Sequence, residues 1–301
     1  MENIMIDLTE NNKNAKYFSS FYTNNSLLQN KVSINEISKE YPFYGYVKVY
    51  NYDIKFLMFS NNDDYVAKHY YWLGENSYES MSLKLWSRLS SNAKIIFDIG
   101  AYTGLYSLLS ASVNRKSRIF SFEALERNYS RIIINKSVNE LYNIYPQNTA
   151  LSETDGEVSF YISTGDDILT TGASMHDRGK IQSKRITVES TSLDSFIKNN
   201  DIPEASLIKV DVEGAEYDTF KGMKNTLRDF SPHIICEFLH DESASLVTSF
   251  LGEYGYNFYQ INDVDMDVQQ VKEIQCATDN STLNTFISKL SMQEINELIK
   301  R

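Results

Sequence analysis

The chain reads as an α/β protein with a doubly wound, mostly parallel sheet of seven strands. The first sign is an apolar run, Ile95-Ile96-Phe97, ending in Asp98-Ile99-Gly100-Ala101-Tyr102-Thr103-Gly104. Glycines there let the backbone turn closely into the helix-compatible segment that follows. The second is another apolar run, Arg118 to Phe122, ending in Glu123, 19 residues after Gly104. An acid in that place can accept hydrogen bonds from both hydroxyls of a ribose. The third is the alternation of strand-like and helix-like segments that parallel βαβ units require.

The elements follow in order. Residues 1–40 are polar and Asn-rich and are expected to form a partly mobile arm. Tyr46–Tyr50 and Ile54–Phe59 flank Asn51-Tyr52-Asp53, a hairpin signal without an Asn-Gly turn. Ser80–Leu89 places Met81, Leu83, Leu85, Trp86 and Leu89 at helical spacing. These pieces make an N-terminal extension over 1–90, and the main domain spans 91–301. There the expected order is strand Lys94–Ile99, helix Leu105–Val113, strand Arg118–Phe122, helix Asn128–Asn139 and strand Ile144–Ala150. Val158–Ile162 and Arg185–Glu189 alternate like antiparallel strands, a hairpin insertion at about 157–190 around the loop Ser163–Lys184. The parallel pattern resumes with Ser206–Asp211, a helix from Glu213, and His233–Phe238. Tyr256–Ile261 and Leu283–Ser288 complete the sheet, the last strand running antiparallel.

Composition narrows the partners. The chain has 301 residues, a formal net charge of −11 and a predicted pI of about 4.9. Such a surface argues against non-specific nucleic-acid binding and against docking on anionic lipid, both of which need basic residues. The two cysteines, Cys236 and Cys276, offer no disulfide framework or thiolate metal spacing. Residues 1–16 lack the apolar core of a signal peptide, and no apolar run approaches the length of a membrane span. A cytoplasmic protein without a membrane span is expected, and a homo-oligomer is left open.

The first turn also speaks about the ligand. Dinucleotide sites favour Gly-x-Gly-x-x-Gly, whereas this chain has Asp-x-Gly-x-x-x-Gly. A carboxylate at Asp98 repels a pyrophosphate and suits a ligand carrying an ammonium and a sulfonium, as S-adenosylmethionine does.

Further motifs align with these. Leu207-Ile208-Lys209-Val210-Asp211-Val212-Glu213-Gly214-Ala215-Glu216 is another apolar strand ending in an acidic turn. With Phe97-Asp98-Ile99-Gly100-Ala101 and Phe122-Glu123-Ala124 it resembles the FkbM-type methyltransferases. Tyr78-Glu79, Ala150-Leu151-Ser152 with Gly156, Ser192-Leu193-Asp194-Ser195 and Pro232-His233-Ile234-Ile235-Cys236-Glu237 continue the resemblance from about Tyr78 to about Tyr259. It implies a class I methyltransferase-like Rossmann fold and O-methylation of a hydroxyl, on a sugar in surface-glycan assembly or on a polyketide or peptide natural product. It also implies donor contacts from Asp98, Gly100, Ala101, Tyr102 and Gly104, with Glu123 on the ribose and residues Asn148–Leu151, Ala150 among them, near the adenine. Tyr78 and Glu79 close over the donor. Where the family usually has Asn followed by Ile or a similar apolar residue, this chain has Tyr102 and Thr103, and the Tyr102 main-chain amide still suits the donor.

Methyl transfer to an alcohol needs a base or a metal for the acceptor's proton. Asp211, Glu213, Glu237 and His240 are the catalytic candidates. Asp211, Glu213, Glu216 and Glu237 are possible ligands for a divalent metal such as magnesium, with Glu213 and Glu216 expected one helical turn apart. The competing explanation is that acids in a first helical turn merely cap it. His176 in its Gly-containing loop, and His69 beside Tyr70, Tyr71 and Trp72, are candidates for an acceptor wall, against simple packing. His233 reads as packing. A nicotinamide-dependent oxidoreductase and a non-catalytic nucleoside-binding module are the rival readings.

Overall fold

The computed structural model describes residues 12–20, 22, 32–163, 169, 183–276 and 281–300. The loop carrying His176 lies outside them. The chain divides into two compact units, Met1–Glu79 and Ser80–Arg301. The helix at Ser80, expected in the extension, therefore belongs to the second unit.

In the N-terminal unit, residues 12–20 are helical (α1), followed by α2 (Ile34–Glu40). Ser33 and Glu36 close a capping box at the start of α2, satisfying its first N–H groups reciprocally. The hairpin forms as β1 (Tyr44–Asn51) and β2 (Ile54–Asn61), joined by Tyr52-Asp53 with Tyr52 at φ 53. Val47 and Val49 on β1, and Phe56 and Met58 on β2, alternate buried with less buried neighbours, as a strand with one covered face must. α3 (Tyr65–Leu73) is capped by Asp64 and stopped by Gly74 at φ 86. Its Trp72 packs edge-on against Tyr22 beside Ala15 and Ile37.

The second unit is built on an eight-stranded sheet, in the order β12-β11-β13-β10-β9-β3-β4-β5. Its strands are β3 (Ile95–Ile99), β4 (Arg118–Phe122), β5 (Ile144–Gln147), β9 (Leu207–Val210), β10 (His233–Glu237), β11 (Asn257–Asn262), β12 (Asp267–Val271) and β13 (Asn284–Ser288). The core strands β5-β4-β3-β9-β10 pair in parallel, and β13 runs antiparallel between β10 and β11. The seven expected strands are thus joined by an eighth, β12, in a hairpin with β11. Its residues Asp267-Val268-Gln269-Gln270-Val271 are too polar to show a strand signal by apolarity.

The helices are α4 (Ser80–Ser90), α5 (Leu105–Val113), α6 (Glu126–Val138), α7 (Leu193–Asn199), α8 (Glu216–Lys221), α9 (Lys224–Phe230), α10 (Asp241–Gly252) and α11 (Met292–Lys300). Trp86 of α4 lies edge-on to Tyr106 of α5, and its indole N–H donates to Ser110 Oγ at 2.7 Å. A buried ring whose polar edge is satisfied pins the two helices together. Among the described residues no helix is long and apolar enough to cross a membrane.

Two expectations need correcting. The run Ile144–Ala150 is not one strand. β5 ends at Gln147, and Ala150-Leu151 (β6) leaves for a separate three-stranded sheet with β8 (Ser183–Thr191) and β7 (Gly156–Ser163), the hairpin insertion. The break comes at Asn148, whose side-chain amide donates to the carbonyls of Glu123 and Ala124 at 2.9 and 3.1 Å. Nor does a helix begin at Glu213. Glu213 at φ 54 and Gly214 at φ 101 form a left-handed turn, and α8 starts only at Glu216.

Candidate functional site

In an open parallel sheet the carboxyl ends of the strands form the ligand crevice. β3, β4, β9 and β10 bring the turn Gly100–Gly104, Glu123, Asp211 and Glu237 to that edge, because each follows or ends its strand. The register sets their order: Ile99 opposes both Phe122 and Val210, and Val210 opposes Cys236.

The turn after β3 is held from both sides. The N–H groups of Gly100 and Ala101 both donate to the Phe122 carbonyl, at 3.0 and 2.9 Å. A side chain on Gly100, at φ 77, would bring its Cβ to 1.7 Å from the Asp211 carbonyl oxygen. Glycine is therefore required because the β9 turn presses on the β3 turn. Gly104, at φ 95, starts α5 without any side-chain cap. Asp98 supplies the missing cap: its Oδ2 accepts from Ser107 N at 2.9 Å and Ser107 Oγ at 2.6 Å. Ser107 in turn meets Ser121 at 2.5 Å. Asp98 is 1% exposed, so it lies beneath the turn that was expected to present it to the methionine end. Burial pushes its carboxyl up to about 6, despite the Ser107 hydrogen bonds and the Lys209 charge that favour ionisation.

Glu123 stands at the end of β4 as expected of a ribose acid. Oε2 accepts from Tyr102 N at 3.0 Å and Oε1 from Leu125 N at 2.8 Å. The Tyr102 amide thus faces Glu123, and Tyr102 itself sits at φ 51. Burial raises the Glu123 carboxyl to about 7, while the two amides and Asn128 pull the other way. A carboxylate has about four lone-pair sites; the Tyr102 and Leu125 amides and Asn128 use three of them, which leaves one for a ribose hydroxyl. Ala150, expected near the adenine, is buried on β6.

The acidic group after β9 does not gather as a metal site. Glu216 is 1% exposed, and its carboxylate accepts from Gly214 N at 2.7 Å and Ser243 Oγ at 2.6 Å. It caps its own turn and anchors α10. The left-handed turn at Glu213 removes the shared helical face on which Glu213 and Glu216 were to cooperate. Among the described residues no three His, Cys, Asp or Glu side chains are grouped to hold a metal ion. Asp211 and Glu237 remain at neighbouring strand ends, half-buried, and His240 is exposed just before α10. His233 packs within the fold, bonded to Ser288 at 2.8 Å. Tyr78 and Glu79 belong to the N-terminal unit, where the Tyr78 ring lies 5.4 Å from that of His69.

The sequence reading missed Lys209. It is 1% exposed inside β9, with Nζ 3.4 Å from Asp211 Oδ2, 3.2 Å from Asn284 Oδ1 and 5.0 Å from the centre of the Tyr106 ring. Its charge favours the ionised forms of Asp98 and of Asp263, whose carboxylate accepts from Ser82 N at 2.8 Å and Ser82 Oγ at 2.9 Å. The available signal was a lysine in an otherwise apolar strand, since such a residue is almost never fully buried unless paired.

A family profile for the methyltransferase FkbM domain matches residues 98–258, more than half of the chain. The chain belongs to the FkbM methyltransferase family. The match begins at Asp98 and takes in Glu123, Asp211, Glu213 and Glu237. FkbM membership sets aside the nicotinamide oxidoreductase reading. Among curated proteins the chain is similar to the hexuronic acid methyltransferase AglP of Haloferax volcanii, 26% identical over 163 residues. That alignment covers 53% of this chain and 62% of AglP, less than two thirds of the relative. Among solved structures it is similar to an FkbM methyltransferase from Methylobacillus flagellatus KT, with a TM-score of 0.44 and 14% identity. That match covers 75% of this chain and 55% of the other. It is also similar to an O-methyltransferase from Bacillus cereus in complex with SAH, with a TM-score of 0.40 and 13% identity over 69% of this chain and 77% of the other.

Proposed function

We propose that this FkbM-family protein is an S-adenosylmethionine-dependent O-methyltransferase whose acceptor is a sugar hydroxyl in glycan assembly. The observation that carries the donor half is Glu123 just after β4, held by the Tyr102 amide of the Gly100–Gly104 turn, with lone-pair capacity left for a ribose hydroxyl. The acceptor half is supported by the name of the curated relative, a hexuronic acid methyltransferase. Cytoplasmic residence fits that role.

The donor, when bound, supplies a methyl carbon on a sulfonium. The acceptor oxygen forms the new C–O bond as the C–S bond breaks, and that electron pair stays on sulfur. The chain's own task is to align the acceptor and to take its proton. Asp211 and Glu237 are best placed for the proton, at adjacent carboxyl ends of β9 and β10, with Glu213 and His240 on the loops beyond them. Since the acids are not grouped as ligands, no step is assigned to a metal.

Calorimetric titration of S-adenosylmethionine and its demethylated product into wild type and Glu123→Gln tests the donor half. Micromolar binding, weakened at least tenfold in the variant, is expected. Wild type that binds neither ligand would refute the proposal. Radiolabelled methyl transfer to glucuronides then tests the acceptor half.

A further inference from the structure

A cleft opens at the edge of the sheet opposite the crevice, where β3, β9 and β10 begin. It encloses about 400 Å³ between the end of α4, the residues that start β9 and β10, and α11. Sites for small molecules range from about 300 Å³ upward and join an apolar wall to a few polar groups. Here Leu89, Leu290 and Leu298 give the wall, and Arg88, Asn92 and His233 stand among them.

The other polar groups of the lining are already occupied. Ser206 Oγ donates to Glu204 Oε1 at 2.8 Å and accepts from Lys94 N at 3.2 Å. Glu294 turns back on its own helix, where Oε2 accepts from Ser291 N at 2.7 Å and Ser291 Oγ at 2.8 Å. Glu297 Oε1 accepts from Gln293 Nε2 at 3.2 Å, and both glutamates are exposed at the rim. By contrast, the side chains of Arg88 and Asn92 make no hydrogen bond or ion pair among the described residues. The tautomer of His233 follows from its neighbour. Ser288 is fully buried, and among the described residues its hydroxyl meets Leu290 N at 3.1 Å and His233 Nδ1 at 2.8 Å. Leu290 N can only donate, so the hydroxyl proton goes to Nδ1, and Nε2 carries the proton of the ring. Burial keeps that ring neutral. A guanidinium, a carboxamide and an imidazole N–H are thus left to one cleft.

We propose that this cleft binds a small monocarboxylate with an apolar body, its carboxylate paired with Arg88 and bonded by Asn92 and His233 Nε2, its hydrocarbon part against Leu89, Leu290 and Leu298. The unused donors select that class. The planar fork of a guanidinium matches a carboxylate in two parallel bonds, and the two neutral donors add to it without further charge. A phosphate would bring a second negative charge toward Glu294 and Glu297. An amine would meet Arg88, and the two carboxylates it needs are spent on Ser291 and Gln293. The leucines require a ligand with hydrocarbon to shed water against them. Since the cleft lies away from the carboxyl ends of the strands, the inference does not rest on the proposed function.

Calorimetry with octanoate, octylamine and octyl phosphate on the whole chain tests this, together with the ring protons of the four histidines in NMR. Octanoate should bind with a Kd of about 1 mM or below and should shift the His233 ring protons. Octylamine and octyl phosphate should each bind at least about fivefold more weakly. Arg88→Met keeps the apolar stem and removes the charge, and should weaken octanoate at least about tenfold. No octanoate binding overturns the proposal and leaves Arg88 as a charge that serves the end of the α4 dipole. Octylamine binding more tightly, affinity kept in Arg88→Met, or unmoved His233 protons overturn it as well. Should Arg88→Met not fold, Leu298→Trp fills the cleft from α11 and should abolish binding. S-adenosylmethionine titrated into the same variant should bind within about twofold of wild type, as independent sites do. A tenfold loss there would put the octanoate effect in the crevice and overturn the proposal. Wild type that binds octanoate but no donor refutes the methyltransferase reading alone.

Discussion

Gly100 shows how a single residue can be dictated by packing between strands. Its missing side chain makes room for the Asp211 carbonyl, so Gly100→Ala forces the β3 and β9 turns apart. A loss of at least about 3 kcal/mol in urea unfolding is expected, with donor binding abolished. Tyr102 is the opposite case, a bulky residue in the left-handed region. Tyr102→Asn should stabilise the fold by about 1 kcal/mol, since Asn tolerates that conformation through local hydrogen bonds. A decrease in stability instead would show that packing of the Tyr102 ring outweighs the backbone strain. Lys209 belongs to the same scale: a buried ammonium is tolerable only amid paired acids, here Asp98, Asp211 and Asp263.

At the scale of elements, the Ser192-Leu193-Asp194-Ser195 motif has a structural explanation. Ser192 caps α7 through Ser195 N at 3.1 Å. Asp194 reaches across to the start of α9, accepting from Asn225 N and Thr226 N, each at 2.8 Å, and from Thr226 Oγ1 at 2.7 Å. One short motif therefore starts two helices, and donor chemistry need not be invoked for it. Asp194→Ala should cost about 1–2 kcal/mol of stability while leaving donor affinity within twofold. Differential scanning calorimetry and donor titration on the same sample would separate these effects; a tenfold loss of affinity would contradict the structural account. Gly222 makes a similar point, since a Cβ there would lie 2.0 Å from the Ser152 carbonyl oxygen. The conformation of the segment after β6 thus depends on the end of α8.

For the whole molecule, the buried acids set a pH dependence. Asp98 and Glu123 ionise near 3.8 and 4.5 when unperturbed, and near 6 and 7 in the fold. Between those values the folded state holds more protons than the unfolded state. Their stabilising contribution is complete below about pH 4 and is lost as pH rises through 6 to 7. The urea midpoint should therefore fall between pH 5.5 and pH 8, and the double variant Asp98→Asn, Glu123→Gln should remove most of that fall. A wild-type midpoint that does not fall over this interval would contradict the assignment. Donor affinity should move the other way over the same window, because the ionised acids attract a cationic ligand.

The order of strands and helices in the second unit was readable because period and punctuation are local: apolar runs, glycines and acids recur wherever a strand feeds a helix. The Gly100–Gly104 turn, Glu123 and Asp211 were legible for that reason, and the family with them. What local pattern cannot carry is the partner of each side chain. In the sequence Asp98 stands where a ligand contact is expected; in the fold it caps α5, because Ser107 lies above it on the next element. Glu216 has the chemistry of a metal ligand, yet Ser243 of α10, distant in sequence, takes its carboxylate. Lys209 reads as one more strand residue, and only the fold brings Asn284 to its ammonium and Asp263 within reach of its charge. The chain alone therefore determined the α/β class, the sequence of core elements and the residues at the strand ends. Tertiary structure decided which acids stay open at the crevice and which are consumed in holding it, since burial and pairing depend on residues brought together only by folding.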